Sequence, residues 1–213
     1  MEKKVSVLVT GFGPFGAHKI NASWEAVKEL DGISFEDSVN LITQEIPVEY
    51  ESVSSLIPDL WKKYKPKLCV HVGVSPVTNA MQLETCAHNS DYCREDISCE
   101  YPDGHYCVLG GQECLHTSIN VEKICQERDE NKCPCDLETS CDAGRYLCEF
   151  IYYSSLNQSM RAENSGSSVV FIHVPTLDNP YSKTQLAHAL KYVVLEILKQ
   201  QNSHEPCRKC EHK

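Results

Sequence analysis

The sequence has no excess of basic residues and no basic run of the kind that binds phosphate backbones. Its 30 acidic residues outnumber its 20 basic ones, which gives a formal net charge of -10 at pH 7. A negative field of this size repels nucleic acid and anionic lipid surfaces. We therefore expect neither nucleic acid nor a membrane among the partners of this protein.

Long apolar segments are missing as well. The first apolar run extends only from Val5 to Val9, too short for the core of a signal peptide and far too short to span a bilayer. We therefore expect a cytoplasmic protein. The sequence contains no internal repeat and no low-complexity linker, and 213 residues with 41% apolar content can form one core. A single domain over 1–213 is predicted.

Cysteine, by contrast, is unusually abundant, with 13 residues, most of them crowded into the stretch from Cys86 to Cys148. The count is odd and the spacing irregular, which is not typical of a secreted disulfide scaffold, so most are expected to be free thiols. A zinc site is the competing interpretation, based on Cys207-Arg208-Lys209-Cys210 with His212 and on Cys133-Pro134-Cys135. These ligand pairs are loosely spaced, and no metal is assigned to them.

Apolar runs alternate with helical periodicities along the chain, a pattern that predicts an α/β fold with a mostly parallel twisted sheet between helices. Strands are predicted at 4–10, 39–46, 67–74, 79–85, 136–141 and 169–174. Helices are predicted at 21–30, 53–64, 120–126, 143–157 and 182–197. Asn21 could cap the first of them, and the last begins with a capping box. Pro58 is expected to kink or divide the second helix.

Two segments lack this alternation. Residues 86–117 have no periodicity and are too long for an ordinary connection, so we expect a lid-like excursion over a functional edge. Residues 202–213 follow the last helical pattern and are expected to form a flexible tail.

The turn after the first predicted strand, Gly11-Phe12-Gly13-Pro14-Phe15-Gly16, literally matches the G-x-G-x-x-G pattern of dinucleotide sites. Phe12, Pro14 and Phe15 are too bulky for a turn that cradles phosphate, and the predicted helix begins only near Asn21. The two aromatic rings on a rigid turn instead suggest an apolar slot for a small ligand. A buried turn that plugs the end of the sheet is the competing interpretation.

Three residues form a candidate catalytic constellation. Cys148 lies where a predicted strand gives way to a helix, and the positive end of the helix dipole favours a thiolate there. His173 ends the next strand, at the edge where α/β proteins gather functional groups. Taken alone, each is ordinary: one cysteine of thirteen, a core histidine, and a solvated carboxylate at Glu84. Together they could serve as nucleophile, base and orienting acid.

These motifs together resemble those of the pyroglutamyl-peptidase I family of cysteine peptidases, and the resemblance extends from Val5 to about Leu198. It is carried by Gly11-Phe12-Gly13-Pro14-Phe15-Gly16, Asn21-Ala22-Ser23-Trp24, Glu45-Ile46-Pro47-Val48-Glu49-Tyr50, His71-Val72-Gly73-Val74-Ser75, Asp142-Ala143-Gly144-Arg145-Tyr146-Leu147-Cys148 and His173-Val174-Pro175.

The resemblance implies an exopeptidase that hydrolyses the bond after an N-terminal pyroglutamyl residue through a thioester. Cys148 would be the nucleophile, His173 the general base and then acid, and Glu84 the third member of the triad. No cofactor or metal is implied. Two alternatives stay open at this point, namely an inactive relative that serves as a binding protein and a dinucleotide-binding oxidoreductase.

The resemblance also assigns the substrate pocket. Phe12 and Phe15 would hold the pyroglutamyl ring, and Asn21 would support the loop that carries them. Small peptides with an N-terminal pyroglutamate would be the binding partners, and a monomer is favoured. Val74 and Pro76 depart from the family pattern near this pocket, as does the cysteine-rich segment 86–109.

Overall fold

The computed structural model describes residues 4–16 and 20–203. Within these ranges eight strands occur in chain order, namely β1 (Val5–Phe12), β2 (Val39–Ile46), β3 (Leu68–Val74), β4 (Met81–Glu84), β5 (Cys86–His88), β6 (Cys114–His116), β7 (Leu137–Ser140) and β8 (Ser168–Val174). Five α-helices accompany them in the described part of the chain, namely α1 (Ala22–Glu29), α2 (Tyr50–Tyr64), α3 (Val121–Gln126), α4 (Leu147–Ser159) and α5 (Lys183–Ser203).

Six of the strands form one sheet in the order β2-β1-β3-β8-β4-β7. The first four of these are mutually parallel, whereas β4 runs antiparallel to β8 and parallel to β7. Strands β5 and β6 form a separate antiparallel pair. The prediction of a mostly parallel α/β sheet is confirmed, and the structure adds the reversed edge formed by β4 and β7.

Helices cover both faces of the sheet, and alternate strand residues point to opposite sides, as a pleated strand requires. On β1, Val7 and Val9 join the core formed with α1, α3 and α5. Leu8, between them, joins the core formed with α2 and α4. Strand β8 is buried along its whole length because it lies in the middle of this sandwich.

Capping residues fix two of the helix starts as the sequence predicts. Asn21 caps α1, with its side chain accepting a hydrogen bond from the Ser23 N–H at 3.1 Å. The predicted capping box also forms: the Ser182 N–H donates to Gln185 Oε1 at 3.0 Å, and the Gln185 N–H donates to Ser182 Oγ at 3.3 Å.

Three local predictions need correction. Of the two effects expected at Pro58, division does not occur, because α2 is one helix from Tyr50 to Tyr64 and its packed face holds it together on both sides of the missing N–H. Helix α4 begins at Leu147 and not at 143, because Gly144 has a left-handed φ of 79° and Tyr146 is extended. Segment 86–117 is not wholly irregular, since β5 and β6 pair within it.

The predicted tail begins inside an ordered element, since α5 continues to Ser203. The rest of that tail lies outside the described residues. Across the ranges that the structure describes, no helix is both long enough and apolar enough to cross a bilayer.

Candidate active site

The reversed strand β4 brings Glu84 beside His173. Gln82 pairs with His173 across the β4–β8 ladder, so Glu84 lies diagonally opposite the histidine on the same face. His173 Nδ1 and Glu84 Oε1 are 2.8 Å apart, and both side chains are buried. Glu84 Oε2 is buried with no hydrogen-bond partner among the described residues. The negative charge of this carboxylate makes a protonated imidazole a favourable neighbour.

The Cys148 sulfur lies beside His173, since a Cβ on Gly73, which pairs with His173 across the β3–β8 ladder, would lie 2.8 Å from that sulfur. Since Nδ1 faces Glu84, Nε2 is the nitrogen left for the sulfur. Burial alone would lower the pKa of His173, but hydrogen bonds and charge interactions with Cys148 and Glu84 outweigh it and raise that pKa to about 10. The structure therefore brings the three sequence-predicted groups into one chain of contacts, in the order Cys148, His173, Glu84.

Cys148 is the second residue of α4, in the turn where helical N–H groups have no partner in the helix. Its sulfur lies directly above the end of β3. A Cβ added to Gly73 would lie 2.8 Å from Cys148 Sγ and 2.6 Å from the Phe171 ring. Only a glycine at this position leaves room for the thiol, a requirement that sequence inspection alone did not identify.

A cavity of about 810 Å³ opens at the carboxyl end of the parallel strands, next to Cys148. Among the residues that line it are Phe12, Phe15, Asn21, Val74, Pro76 and Cys148. The predicted nucleophile and the predicted ligand slot therefore share one cavity. The two positions that depart from the family pattern, Val74 and Pro76, also lie on its wall.

Asn21 holds the loop that carries the two phenylalanines. Its side-chain amide donates to the Gly13 carbonyl at 2.9 Å, while its Oδ1 accepts from the Ser23 hydroxyl at 2.8 Å. Ser23 Oγ in turn accepts from the Phe12 N–H at 3.0 Å. The loop is thereby tied to the first turn of α1.

The same loop does not have the geometry of a dinucleotide site. A Cβ on Gly11 would lie 2.8 Å from the Ser23 carbonyl oxygen, so this glycine serves the packing of α1 against β1. Helix α1 begins at Ala22, well beyond Gly16. Its N-terminus therefore does not follow the third glycine directly, as it does where a helix receives a pyrophosphate.

Two arginines on the cavity wall had no predicted role. Arg145 Nη1 donates to Glu149 Oε2 at 2.8 Å and to Asp142 Oδ1 at 2.9 Å. Arg94 comes from segment 86–117, and its guanidinium lies 4.3 Å from the centre of the Tyr146 ring. The i,i+4 spacing of Arg145 and Glu149 could have predicted their ion pair. Nothing local in the sequence indicated the contact between Arg94 and Tyr146.

His71, in one of the family motifs, is not part of this site. Its Nδ1 lies 2.7 Å from Thr10 Oγ1 and its Nε2 lies 3.3 Å from Cys69 Sγ. The ring is fully buried, and burial lowers its pKa to about 3. The motif histidine is thus a neutral core residue.

A thiol, an imidazole and a carboxylate in sequential contact on an α/β sheet are the arrangement of cysteine hydrolases. Comparison with known proteins narrows the class. The model of the pyroglutamyl peptidase family matches residues 5–191, and the chain belongs to this family.

The chain is also similar to individual proteins over most of its length. Pyroglutamyl-peptidase 1 of Homo sapiens is 44% identical over 198 residues, which cover 92% of this chain and 91% of that protein. The pyrrolidone-carboxylate peptidase of Pyrococcus furiosus is 31% identical, over 80% of this chain and 81% of its own. The crystal structure of Bacillus amyloliquefaciens pyroglutamyl peptidase I shares the fold, with a TM-score of 0.82 at 24% identity and coverage of 93% and 98%.

Proposed function

We propose that this protein removes the pyroglutamyl residue from the N-terminus of peptides, with Cys148 as nucleophile, His173 as base and acid, and Glu84 as the residue that orients the histidine. The observation that carries the proposal is the contact chain at the cavity, in which the 2.8 Å bond between His173 Nδ1 and Glu84 Oε1 turns the ring toward Cys148. Membership of the pyroglutamyl peptidase family supports the substrate class.

The reaction follows from this arrangement. The Cys148 thiolate attacks the carbonyl carbon that joins pyroglutamate to the next residue, and N–H groups in the first turn of α4 stabilise the oxyanion. Protonated His173 donates its proton to the leaving amine as the peptide bond breaks. The neutral imidazole then takes a proton from water, whose oxygen attacks the thioester and releases pyroglutamate and the thiolate. Each proton transfer in this sequence passes through His173.

The cavity suits the substrate. A pyroglutamyl ring is small, neutral and cyclic, so an apolar slot formed by Phe12 and Phe15 can bind it without a charged partner. The hydrogen bonds of Asn21 fix the loop on which both rings are carried. In this proposal Phe12, Phe15 and Asn21 serve substrate binding and take no part in breaking the peptide bond.

Hydrolysis of a pyroglutamyl fluorogenic amide by the purified protein tests the proposal. We expect turnover of this reporter and none of the matching prolyl or glutamyl amide. Cys148→Ser is expected to lose nearly all activity because a hydroxyl is a far weaker nucleophile than a thiolate, whereas Cys93→Ser, at an exposed thiol, retains it. A folded wild-type protein without turnover would favour an inactive relative that only binds peptides.

The slot has its own test. Phe15→Ala is expected to raise KM for the pyroglutamyl reporter about tenfold or more with a smaller change in kcat, because it removes apolar contact with the ring. Phe35→Ala is the matched control, since Phe35 is also partly buried but packs against the opposite core. Equal KM changes in the two variants would show that the slot lies elsewhere.

We also propose that segment 86–117 covers one side of the active site. Arg94 lines the cavity, and Asp96 Oδ2 accepts a hydrogen bond from the Tyr50 N–H at 2.9 Å, which anchors the segment to the start of α2.

A cytoplasmic monomer remains our proposal for the location and oligomeric state of the protein.

A further inference from the structure

Pairing of β5 with β6 gathers three metal-ligating side chains away from the active-site cavity. Cys86 lies directly opposite His116, and Cys114 lies two residues along on the same face. The two sulfurs and the imidazole nitrogen all lie within 4.8 Å of one another. Cys86 is buried, Cys114 is half-buried and His116 is exposed, so the group is open to solvent on one side only.

The spacing is close to what a tetrahedral zinc ion requires. Zn–S bonds of about 2.3 Å and Zn–N bonds of about 2.0 Å at tetrahedral angles place a sulfur and a nitrogen about 3.5 Å apart and two sulfurs about 3.8 Å apart. Cys114 Sγ and His116 Nε2 are 3.8 Å apart. Two thiolates and one imidazole form a donor set that favours zinc over magnesium or calcium, which prefer oxygen.

We propose that Cys86, Cys114 and His116 bind one zinc ion, with solvent at the fourth position on the exposed side of His116. The ion would join the two ends of the excursion that separates β5 from β6. The ion would have a structural role. By holding the two ends of this long loop together, it would lower the conformational entropy of the unfolded chain and so raise the free energy of unfolding.

This site differs from both cysteine groups that the sequence singled out for zinc. Cys133 and Cys135 are buried next to each other, with the Cys133 thiol donating to the Cys135 carbonyl, and neither belongs to the cluster. Cys207 and Cys210 lie outside the described residues. The proposal is also independent of the peptidase function, since its readout is metal binding and not turnover.

The test is a titration of the reduced full-length protein with zinc ions. A chromogenic chelator competes for the zinc, and its absorbance reports how much zinc the protein binds. The Cys148→Ala background removes the thiol of the active site, which could bind zinc beside His173. We expect one tightly held equivalent and a rise in Tm with zinc. Titration with Co²⁺ reports the ligands, because thiolate ligation gives a charge-transfer absorption band.

Three variants in the same background locate the ion. His116→Gln and Cys114→Ser are expected to weaken zinc binding at least tenfold and to abolish the rise in Tm. His116 is exposed, so its replacement is the safer of the two for folding. Cys207→Ser combined with Cys210→Ser is expected to leave both effects intact. Unchanged binding in the cluster variants, loss of binding only in the tail variant, or a Cys86–Cys114 disulfide in protein prepared anaerobically with reductant would overturn the proposal.

Discussion

Gly73 is the residue on which the position of the proposed nucleophile depends most directly. The Cys148 sulfur and the Phe171 ring both occupy space that a β-carbon at position 73 would need. The sulfur must also stay in contact with His173, so it has little freedom to move aside. A methyl group here would therefore disturb the alignment of thiol and imidazole.

Gly73→Ala is accordingly expected to lower kcat/KM about 100-fold or more, because small displacements of reacting groups have effects of that order. Gly32→Ala is the control, since a β-carbon at position 32 would meet no atom within 4 Å. Circular dichroism of both variants separates misalignment from unfolding. Full activity in folded Gly73→Ala would contradict the described sulfur position.

The interaction of Glu84 with His173 predicts how activity depends on pH. Its hydrogen bond and charge help to hold the pKa of His173 at about 10, so activity is expected to fall as the pH rises through that value and the imidazole loses the proton for the leaving amine. Glu84→Gln removes the charge. The alkaline limb of kcat/KM is then expected to move about one pH unit or more downward, with reduced but measurable activity.

Glu138→Gln is the control for this shift, because Glu138 is an exposed carboxylate on the neighbouring strand β7. It is expected to leave the alkaline limb in place. An unchanged limb in Glu84→Gln would show that the carboxylate does not act on the proton of His173.

At the scale of elements, helix α4 is joined to the β5–β6 pair through Glu149, which follows the proposed nucleophile directly. This buried carboxylate accepts from the His88 N–H at 3.0 Å and lies 2.8 Å from His88 Nδ1. Its other oxygen accepts from Arg145. One side chain therefore connects a strand, a helix and the loop before that helix.

Glu149→Ala is expected to lower the free energy of unfolding by about 1–2 kcal/mol, because the partly buried His88 N–H loses its acceptor while Arg145 keeps its bond to Asp142. Urea denaturation measures the change. Glu51→Ala is the matched control, since Glu51 occupies the first turn of α2 but is exposed. A loss no greater than that of the control would mean that solvent already satisfies these groups.

The elements also show what the sequence could predict. Apolar runs of β-branched residues identified β1, β3 and β8, and side-chain caps identified the starts of α1 and α5. The triad and the slot were found because their residues lie at element ends or in a distinctive turn. The direction of β4, the start of α4 after Gly144 and the β5–β6 pair were not found. They depend on tertiary pairing or on one backbone angle, and neither leaves a periodic signal.

For the molecule as a whole, buried His71 makes the free energy of unfolding depend on pH. Its pKa is lowered to about 3 in the folded state and is near 6.5 when unfolded, so the unfolded chain binds the extra proton first. The stability contributed by the neutral ring is present above pH 6.5 and is lost progressively as the pH falls toward 3. Between pH 7 and pH 5 the loss amounts to about 2 kcal/mol.

His71→Asn, which keeps a polar partner for Thr10, is therefore expected to lose about 2 kcal/mol less than wild type over that interval, whatever its stability at pH 7. Urea denaturation at both pH values measures the difference. His188→Asn, on the exposed side of α5, serves as control and is expected to follow wild type. Parallel losses in all three proteins would show that other groups dominate the acid response.

The strand order has a consequence for how the chain is made. Strand β8 separates β3 from β4 in the sheet, yet it is the last of the described strands to be synthesised. Leu68 of β3 precedes its partner Ser168 of β8 by about 100 residues. On the ribosome, a chain that ends before residue 168 carries the slot and the cysteine of α4, but its sheet is split down the middle. His173 arrives with the strand that closes that gap. The thiol therefore acquires its imidazole partner only when the central strand of the sheet has been made.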